Sequence, residues 1–518
     1  MSAVSAAVGA SVEQAIALSL ISHTNAGKTT LARTLLGRDV GEVRDAAHVT
    51  LEATAYPMIA TPEGDALMLW DTPGFGDSAR LAKRLAQQGN PVGWFLSEVW
   101  DRFRDRAFYL SQQAVRNVRD QADVVLYLVN AAESPRDAGY LEPELRVLEW
   151  IGKPVIVLLN QTGRPRPREE ELADEARWRD ALGDRAFVKA VTMLDAFARC
   201  WVQEFALLDL VGDAVPEARR PAFARLAQAW QERRLEQFAA AMVALAAPIA
   251  DAACDREVLP DPGVRGALRE LGRSLGLGKD DNEDAKRRAS EALAARLDAG
   301  IRASTDRTIA LYQLEGGASQ DVLARLAAGT TASAPVNEGK AALMGGIVSG
   351  ALTGLAADLA AGGLTFGAGV LAGAVMGALG GAGIARGMNA VRGQSGIVVR
   401  WDDDVLTGLV RSALLRYLAI AHYGRGRGGW VETEYPSFWQ PLVGEVVDAH
   451  GDALREAWSA RASDCDREAL AVRLTELMTE AAREVLDRLY PEIGVGRVRP
   501  YFPEQATPFP AQPPESRV

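Results

Sequence analysis

The segment Ser22-His-Thr-Asn-Ala-Gly-Lys-Thr29 decides the fold of the first part of this sequence. It follows an apolar run and opens a helical pattern, Thr30-Leu-Ala-Arg-Thr-Leu-Leu36. A small residue at Gly27 lets backbone N–H groups curl around an anion at the positive end of the helix. Lys28 adds an ammonium group, and Thr29 adds a hydroxyl for Mg²⁺. The segment therefore predicts a loop that binds the phosphates of a nucleotide, with a serine in place of the usual first glycine.

A second segment, Asp71-Thr-Pro-Gly74, stands at the end of another apolar run. An aspartate at the carboxyl end of a strand is placed to hold the water shell of Mg²⁺, and Gly74 offers its N–H to the γ-phosphate. Thr50 lies between the two segments and is predicted to close on Mg²⁺ and the γ-phosphate, with Thr54 as the alternative. Together the segments predict a site for a nucleoside triphosphate and Mg²⁺.

Short apolar runs alternate with helical patterns between residues 15 and 195. This alternation predicts an α/β domain with a doubly wound, mostly parallel sheet. The predicted strands are 15–22, 49–56, 66–71, 123–130, 154–160 and 186–192. From about residue 202 to 335 the pattern is helical without strands, and further helices are predicted at 404–422, 437–449 and 452–490.

Composition excludes several classes of protein. The 518 residues carry 57 Lys and Arg against 68 Asp and Glu, a net charge of −11, which argues against sequence-independent nucleic-acid binding. The three cysteines, Cys200, Cys254 and Cys465, are far apart, so we expect neither a disulfide framework nor a zinc ribbon. The first Lys or Arg is Lys28, so a charged secretory leader is not expected. A reducing cytosol is the predicted compartment.

The order and spacing of the two segments resemble a P-loop GTPase of the TrmE–Era–EngA–septin superclass, over roughly residues 12–200. The stretch from Ile21 to Thr50 is similar to a bacterial GTPase family whose C-terminal half is catalogued as a domain of unknown function. The resemblance implies a molecular switch that binds and hydrolyses GTP with Mg²⁺. It also implies a mainly α-helical region after the GTPase domain.

The sequence departs from that superclass where the base is recognised. The superclass has Asn-Lys-x-Asp after the fifth strand, and its aspartate pairs with the N1 and N2 hydrogens of guanine. This chain has Asn160-Gln-Thr-Gly163 there, so Asn160 still braces the phosphate loop and Gln161 lies over the base, while the carboxylate is replaced by Gly163. Guanine remains the prediction and adenine the alternative. The last base-contacting turn is matched to Lys189-Ala-Val191.

A second departure concerns the attacking water. Phe75 follows Gly74 where Ras-like enzymes have a glutamine, and a phenyl ring cannot orient water. The resemblance implies help from a homodimer partner at the GTPase domain, from another switch residue (Asp77 or Ser78), or from a monovalent cation. Asn25, three residues before Lys28, matches the asparagine of potassium-activated members and predicts a K⁺ site. The alternative is that Asn25 only forms hydrogen bonds within the loop.

These arguments define the predicted site. The predicted catalytic residues are Lys28, Thr50, Gly74 and Asn25. The predicted nucleotide-binding residues are Asn25, Ala26, Gly27, Lys28, Thr29, Thr30, Asp71, Gly74, Asn160 and Gln161. The predicted Mg²⁺ ligands are Thr29, Thr50 and Asp71.

The region 341–386 is rich in alanine and glycine, and several of its glycines are spaced by four. Such glycines fall on one helical face and allow two helices to approach closely, as in membrane helix pairs. Positive charges flank this region, which is consistent with a hairpin whose two ends are cytoplasmic. One interpretation is a hairpin that inserts into the inner face of the cell membrane and contacts lipid or a membrane protein. The other is a helical hairpin inside a soluble bundle.

An insertion at about residues 79–120 carries several aromatic residues, among them Trp94, Trp100 and Phe108. It is predicted either to pack as a helix on the protein or to bind a partner or membrane surface. The predicted domains are 1–200 (GTPase, with this insertion), 201–340 (helical), 341–386 (hairpin), 387–495 (helical) and 496–518 (proline-rich disordered tail). Besides a GTPase switch, the alternatives are a membrane-remodelling or assembly scaffold with little hydrolysis and a soluble GTPase regulator. No specific nucleic acid is predicted as a partner.

Overall fold

A computed structural model describes residues 15–23, 26–40, 53–86, 106–162, 166–197, 200–259, 281–314, 388–393, 396–424, 436–461 and 465–493. Several predictions concern residues outside these ranges. They concern Asn25, Thr50, Gly163, residues 87–105 of the aromatic insertion, the hairpin 341–386 and the tail 496–518.

The first part of the chain forms a six-stranded sheet in the order β2-β3-β1-β4-β5-β6. Neighbouring strands are parallel except that β2 is antiparallel to β3. The carboxyl ends of the parallel strands therefore meet at one edge, where ligands bind in sheets of this kind. The strands are β1 (Ile16–Ser22), β2 (Thr54–Ala60), β3 (Ala66–Asp71), β4 (Val124–Asn130), β5 (Val155–Asn160) and β6 (Val188–Met193).

Helices cover both faces of this sheet. They are α1 (Lys28–Leu36), α2 (Ser78–Ala86), α3 (Arg106–Gln121), α4 (Leu141–Ile151), α5 (Arg168–Leu182) and α6 (Trp201–Ala214). The strands alternate between two hydrophobic clusters, because successive side chains point to opposite faces. Leu126 and Leu128 of β4 belong to the cluster that contains α1 and α6, whereas Val125 and Tyr127 belong to the cluster that contains α4. The prediction of a doubly wound, mostly parallel sheet is confirmed.

Five of the six predicted strands match the observed ones within two residues, but the prediction for the second strand was wrong. It was placed at residues 49–56, whereas β2 begins at Thr54 and continues to Ala60. A tight turn explains the difference: Gly64 has a φ of 94°, and its N–H donates to the carbonyl of Thr61. This turn joins β2 directly to β3 as a hairpin. The turn therefore fixes which residues of the two strands pair, and the paired segment of β2 ends at Ala60, next to the turn.

The rest of the described chain is mainly helical, as predicted. Its helices are α7 (Arg220–Cys254), α8 (Asp281–Leu311), α9 (Asp403–Ala421), α10 (Trp439–Ala449), α11 (Gly451–Ser459) and α12 (Arg467–Leu489). The single helical segment predicted for 452–490 is thus two helices, α11 and α12. The prediction that residues 202–335 contain no strand was also wrong. A three-residue strand, β7 (Glu257–Leu259), pairs with β9 (Gly396–Trp401), which in turn pairs with β8 (Met388–Gly393).

The cysteines correct a further expectation. Cys254, at the end of α7, forms a disulfide with Cys465, just before α12, and their Cα atoms are 5.4 Å apart. Cys200 is buried and takes no part in this disulfide. The bonded cysteines are 211 positions apart in the sequence. Their pairing could not be predicted from the sequence, because the packing of α12 against α7 is what brings the two residues together.

Helix α7 is the central element of the helical region. Its 35 residues pack against α8, α9 and α12, and its buried side chains include Trp230, Phe238 and Met242. Within the described residues, the segment Glu217–Cys254 is the single helix long and apolar enough to cross a membrane. Just over half of its most apolar window is buried inside the protein, as is usual for a core helix.

The sheet and the helical region share one hydrophobic core. The cluster that contains Leu18 of β1 and Leu31 of α1 continues through Trp201 and Phe238 to Leu486 of α12. Buried polar contacts follow the same path, because the indole N–H of Trp201 donates to the hydroxyl of Tyr417 at 2.8 Å. The helical region is therefore packed directly on one face of the sheet.

Candidate nucleotide-binding site

The predicted phosphate loop lies between the end of β1 and the start of α1. Gly27 is the N-cap of α1 and has a φ of 89°, a conformation that residues other than glycine adopt only with strain. A Cβ atom at this position would also lie 2.7 Å from Asn160 Nδ2. Both constraints explain why the loop needs a glycine here. The first N–H groups of an α-helix have no acceptor within the helix, so the start of α1 offers donors to an anion in the loop.

Lys28 is buried at the base of this loop. Its ammonium group donates to the Ser22 hydroxyl at 2.9 Å, and the Ser22 hydroxyl in turn donates to the carbonyl of His23 at 2.5 Å. Burial lowers the pKa of Lys28, while the nearby charges of Asp71 and Glu144 oppose that shift. A buried ammonium group whose hydrogen bond goes to a neutral hydroxyl is stabilised when it binds an anion. Ser22 thus provides a contact that the usual glycine could not.

Thr29 and Asp71 meet across the edge of the sheet. The Thr29 hydroxyl donates to Asp71 Oδ2 at 2.6 Å, and Asp71 pairs in register with Leu20 near the end of β1. Asp71 is 1% exposed, and its Oδ1 atom has no hydrogen-bond partner among the residues that the structure describes. Burial raises the pKa of Asp71, against the hydrogen bond from Thr29 and the charge of Lys28. An unpartnered buried carboxylate oxygen beside a threonine hydroxyl fits the donor set that Mg²⁺ prefers.

Asn160, at the end of β5, connects the loop to the turn after β6. Its side-chain Nδ2 donates to the carbonyl of Ala26 at 2.7 Å, and its Oδ1 accepts from the N–H of Ala196 at 2.8 Å. Gln161 follows with a φ of 58°, and its Nε2 lies 3.9 Å from the position of a Cβ atom on Gly27. Asn160 is therefore a brace between two loops, and Gln161 lies next to the phosphate loop.

The segment after β3 is anchored beside the loop. The N–H of Phe75 donates to the carbonyl of Ser22 at 3.1 Å, which holds Gly74 next to the start of the phosphate loop. The Phe75 ring is buried near Tyr127, so it fills the core rather than contacting solvent. Asp77 Oδ1 accepts from the N–H of Arg80 at 2.9 Å and thus caps α2.

The structure brings most of the predicted site together. Ala26, Gly27, Lys28, Thr29, Thr30, Asp71, Gly74, Asn160 and Gln161 lie at the carboxyl edge of the sheet, at or beside the loop and α1. Asn25 and Thr50 lie outside the described residues. Thr54, the alternative to Thr50, is the first residue of β2 and lies opposite Asp71.

The match of Lys189-Ala-Val191 to the last base-contacting turn was wrong. These residues lie inside β6, where Val191 pairs with Val157, and the ammonium group of Lys189 donates to the carbonyl of Ala186. Residues 194–197 follow β6 and form the turn at its carboxyl end. These three residues also lie inside the strand predicted at 186–192, so the match of Lys189-Ala-Val191 to a turn was inconsistent with the strand prediction itself.

Sequence reasoning missed a buried group behind the phosphate loop. Glu144 of α4 is fully buried, with Oε1 2.7 Å from His23 Nδ1, and its Oε2 accepts from the Tyr127 hydroxyl at 2.7 Å. The His23 ring also stacks on Tyr140, with ring centroids 4.4 Å apart. Burial raises the pKa of Glu144, against both hydrogen bonds. Its position on the apolar face of α4, next to Leu141 and Leu145, was the available signal.

The helical region contacts the turn after β6. The N–H of Gly424 donates to the carbonyl of Phe197 at 3.1 Å, and a Cβ atom on Gly424 would overlap the backbone of Ala196. Arg168 of α5 also donates to Glu492 at 2.7 Å. A cavity of about 360 Å³ lies beside this contact, with Thr162 and Asp195 on one side and Trp439 and Tyr490 on the other.

A phosphate loop after β1, an aspartate at the end of β3 and a bracing asparagine at the end of β5 together define a P-loop GTPase domain. The family model described as 50S ribosome-binding GTPase matches residues 18–161. The chain belongs to the family described as a domain of unknown function (DUF3482), whose model matches residues 179–490, more than half of the chain. The resemblance to the TrmE–Era–EngA class is thereby confirmed.

Individual proteins share parts of this sequence and fold. GTPase Der of Salinispora tropica is 27% identical over 201 residues, which make up 39% of this chain and 34% of Der. The chain thus spans about a third of the length of that relative. A crystal structure of an Era variant of Aquifex aeolicus bound to GDP·AlF4⁻ is 20% identical, with a TM-score of 0.28, and the match covers 39% of this chain and 58% of that one. For a probable GTP-binding protein, EngB, the identity is 16% and the TM-score 0.23, covering 35% of this chain and 88% of that one.

Proposed function

We propose that this protein is a molecular switch that binds and hydrolyses GTP and transmits its nucleotide state to the C-terminal helical region. The observation that carries the proposal is the cluster of Lys28, Thr29 and Asp71 at the carboxyl ends of β1 and β3. In this cluster a buried ammonium group lies at the start of a helix, near a carboxylate oxygen that has no partner within the described ranges. Such a set of groups suits a triphosphate that carries Mg²⁺.

Each residue has a distinct role in this proposal. Lys28 exchanges its bond to Ser22 for the β- and γ-phosphate oxygens, which pairs a charge that burial otherwise penalises. The N–H groups at the start of α1 bind phosphate oxygens, and Gly74 offers its N–H to the γ-phosphate. Thr29 and Asp71 would hold Mg²⁺, which neutralises charge on the β- and γ-phosphates when bound.

The attacking water needs help that Phe75 does not provide, since this ring is buried in the core. Two groups that the sequence predicts could activate the water instead. One is a K⁺ ion held by Asn25, and the other is a second copy of the GTPase domain in a homodimer. Either would stabilise charge that develops between the β- and γ-phosphates.

The contact between Gly424 and the turn after β6 supports the coupling. That turn is joined through Asn160 to the phosphate loop, so a shift of the loop on nucleotide binding moves groups that touch the helical region. Guanine is the proposed base. The helical region and the hairpin 341–386 are proposed to engage the inner face of the cell membrane, through lipid or a membrane protein.

Single-turnover hydrolysis by the full-length protein tests whether this site hydrolyses GTP. Lys28→Ala is expected to lower the GTP hydrolysis rate by at least about 100-fold, because it removes charge that stabilises the transition state. Lys189→Ala, which removes an exposed lysine of β6, is the matched control and should leave the rate unchanged. A rate that is the same in wild type and Lys28→Ala would exclude this site as the catalytic one and leave the scaffold alternative.

Repeating the assay in KCl and in NaCl tests the potassium proposal, which equal rates would contradict.

Flotation with liposomes tests the membrane proposal separately. Full-length protein is expected to float, with a fraction that differs between GTP and GDP, if the helical region responds to nucleotide. Protein that remains in the soluble fraction with every nucleotide would favour the soluble regulator. A variant that lacks residues 341–386 should lose flotation and retain nucleotide binding.

A further inference from the structure

The turn after β6 carries one carboxylate, Asp195, that the proposed mechanism does not use. Its side chain is buried, with 5% of the residue exposed. Asp195 Oδ2 accepts from the N–H of Thr162 at 2.7 Å and from the Thr162 hydroxyl at 2.9 Å. Asp195 Oδ1 accepts from the N–H of Phe197 at 2.7 Å. The carboxylate is thus held against the segment that begins at Asn160.

This position lies at the nucleoside end of the site. Asn160 joins Ala26 of the phosphate loop to Ala196 of the turn, so the residue after Asp195 is one side chain away from the phosphate loop. A nucleoside attached to phosphates in that loop extends along the carboxyl ends of the strands. The ends of β5 and β6 are therefore where a base would be contacted, and Asp195 lies between them.

The hydrogen-bond partners that the structure describes for Asp195 carry no charge. Within the part of the chain that the structure describes, all of its partners are neutral donors, and no Lys or Arg forms an ion pair with it. A carboxylate has about four acceptor positions, and three are filled. Counting the described residues alone, one position remains on Oδ1, and rotation of the Thr162 hydroxyl releases another on Oδ2. A buried negative charge with acceptor capacity left is stabilised by a ligand that brings N–H donors.

We propose that Asp195 recognises the base, supplying the carboxylate that Gly163 lacks. The Watson–Crick edge of guanine presents N1–H and a 2-amino group, which are donors and match an acceptor-only carboxylate. Adenine presents an unprotonated N1 at that edge, so its lone pair faces the negative charge. A buried site that depends on such donors rejects bases that lack them. This inference rests on the proposed function and assigns its base specificity to a residue outside the usual segment.

Equilibrium binding of GDP, xanthosine diphosphate and ADP to the full-length protein tests the assignment. Wild type is expected to prefer GDP. In Asp195→Asn the amide offers one acceptor and one donor, which match the N1–H and the 2-oxo group of xanthine. We therefore expect the ratio of GDP to xanthosine diphosphate affinity to fall by about 10- to 100-fold. Asp184→Asn, the same change at an exposed aspartate, is the matched control and should keep the wild-type ratio.

The outcomes separate the two proposals. If wild type binds no guanine nucleotide, the proposed function fails. If wild type binds GDP and Asp195→Asn weakens all three nucleotides by the same factor, Asp195 is merely structural and only the present inference fails. Should Asp195→Asn not fold, Asp195→Ser retains a neutral acceptor for the backbone N–H groups. That variant is expected to lose discrimination between GDP and ADP, and unchanged discrimination would overturn the assignment.

Discussion

His422 is held without charge where the helical region meets the GTPase domain. Its Nδ1–H donates to the carbonyl of Leu418 at 2.7 Å, and its Nε2 accepts from the hydroxyl of Tyr490 at 2.8 Å. The ring also packs against Trp439, with centroids 4.7 Å apart. Burial lowers the pKa of His422 from 6.5 to about 4. The fold therefore favours the neutral imidazole, whereas the unfolded chain binds a proton near pH 6.5.

This difference makes stability depend on pH. The contribution of His422 is fully present above pH 6.5 and is lost as the pH falls toward about 4, because only the unfolded state takes up the proton in this window. The loss amounts to at most about 3 kcal/mol. Denaturant unfolding of wild type and His422→Gln between pH 7 and pH 4 measures it, and the variant is expected to show the smaller slope. His450→Gln, outside this cluster, is the control, and equal slopes for wild type and His422→Gln would contradict the prediction.

At the residue scale, sequence was informative where neighbouring residues carry the chemistry. Gly27, Lys28 and Thr29 are consecutive, so their spacing alone predicted a phosphate loop, and the structure gives that segment the expected strand–loop–helix context. Glu144 and Asp195 could not be predicted in the same way. Glu144 lies 121 residues from His23, and Asp195 lies 33 residues from Thr162. Their contacts exist only because the sheet places strand ends and helices side by side.

At the scale of elements, the disulfide joins the end of α7 to the start of α12. These two helices pack against each other along the core, and the bond fixes the ends that meet. Cross-links across long separations restrict the unfolded chain strongly. The bond is therefore expected to stabilise the helical region beyond what its hydrophobic contacts provide.

Removal of this bond is expected to lower the free energy of unfolding by about 2–5 kcal/mol. Cys465→Ser tests the loss by denaturant unfolding, and Cys200→Ser, at the buried cysteine outside the disulfide, indicates how much a buried serine costs without loss of the bond. Thiol titration of denatured, unreduced protein gives an independent measurement. One reactive thiol is expected, from Cys200, and three reactive thiols would show that the bond is absent.

The strands that sequence predicted well are those with a continuous apolar run, such as β4 and β5, which are buried on both faces. Strands β7, β8 and β9 lacked that signal. β7 has three residues, and it pairs with a strand about 140 positions later in the chain. Short strands gain their stability from pairing and not from local preference, so their sequences carry little information about them.

At the scale of the whole molecule, Gly424 lies at a close contact between the GTPase domain and the helical region. Its N–H bonds to Phe197, and the carbonyl oxygen of Ala196 is so close that no side chain fits. Backbone atoms cannot move aside as a flexible side chain can. A substitution here must therefore separate the helical region from the turn that carries Asp195.

Gly424→Ala is expected to destabilise the protein by about 1–3 kcal/mol, the usual cost of overpacking. Gly444→Ala is a matched control, since a Cβ atom there has no neighbour within 4 Å and alanine favours the helix. Denaturant unfolding of both variants measures the difference. If the two variants have the same free energy of unfolding, Gly424 does not make the close contact with Ala196 and Phe197 described above.

During synthesis of the chain, α7 is made well before α12, which packs against it. One side of this 35-residue helix is covered by α12, which follows more than 200 residues later. At typical rates of synthesis, the ribosome needs about 10–40 s to produce that distance of chain. During this interval the nascent protein displays an apolar helix that also has the length of a membrane span. Synthesis therefore includes a period in which α7 must be shielded from premature association, by a chaperone or by a temporary partner within the chain itself.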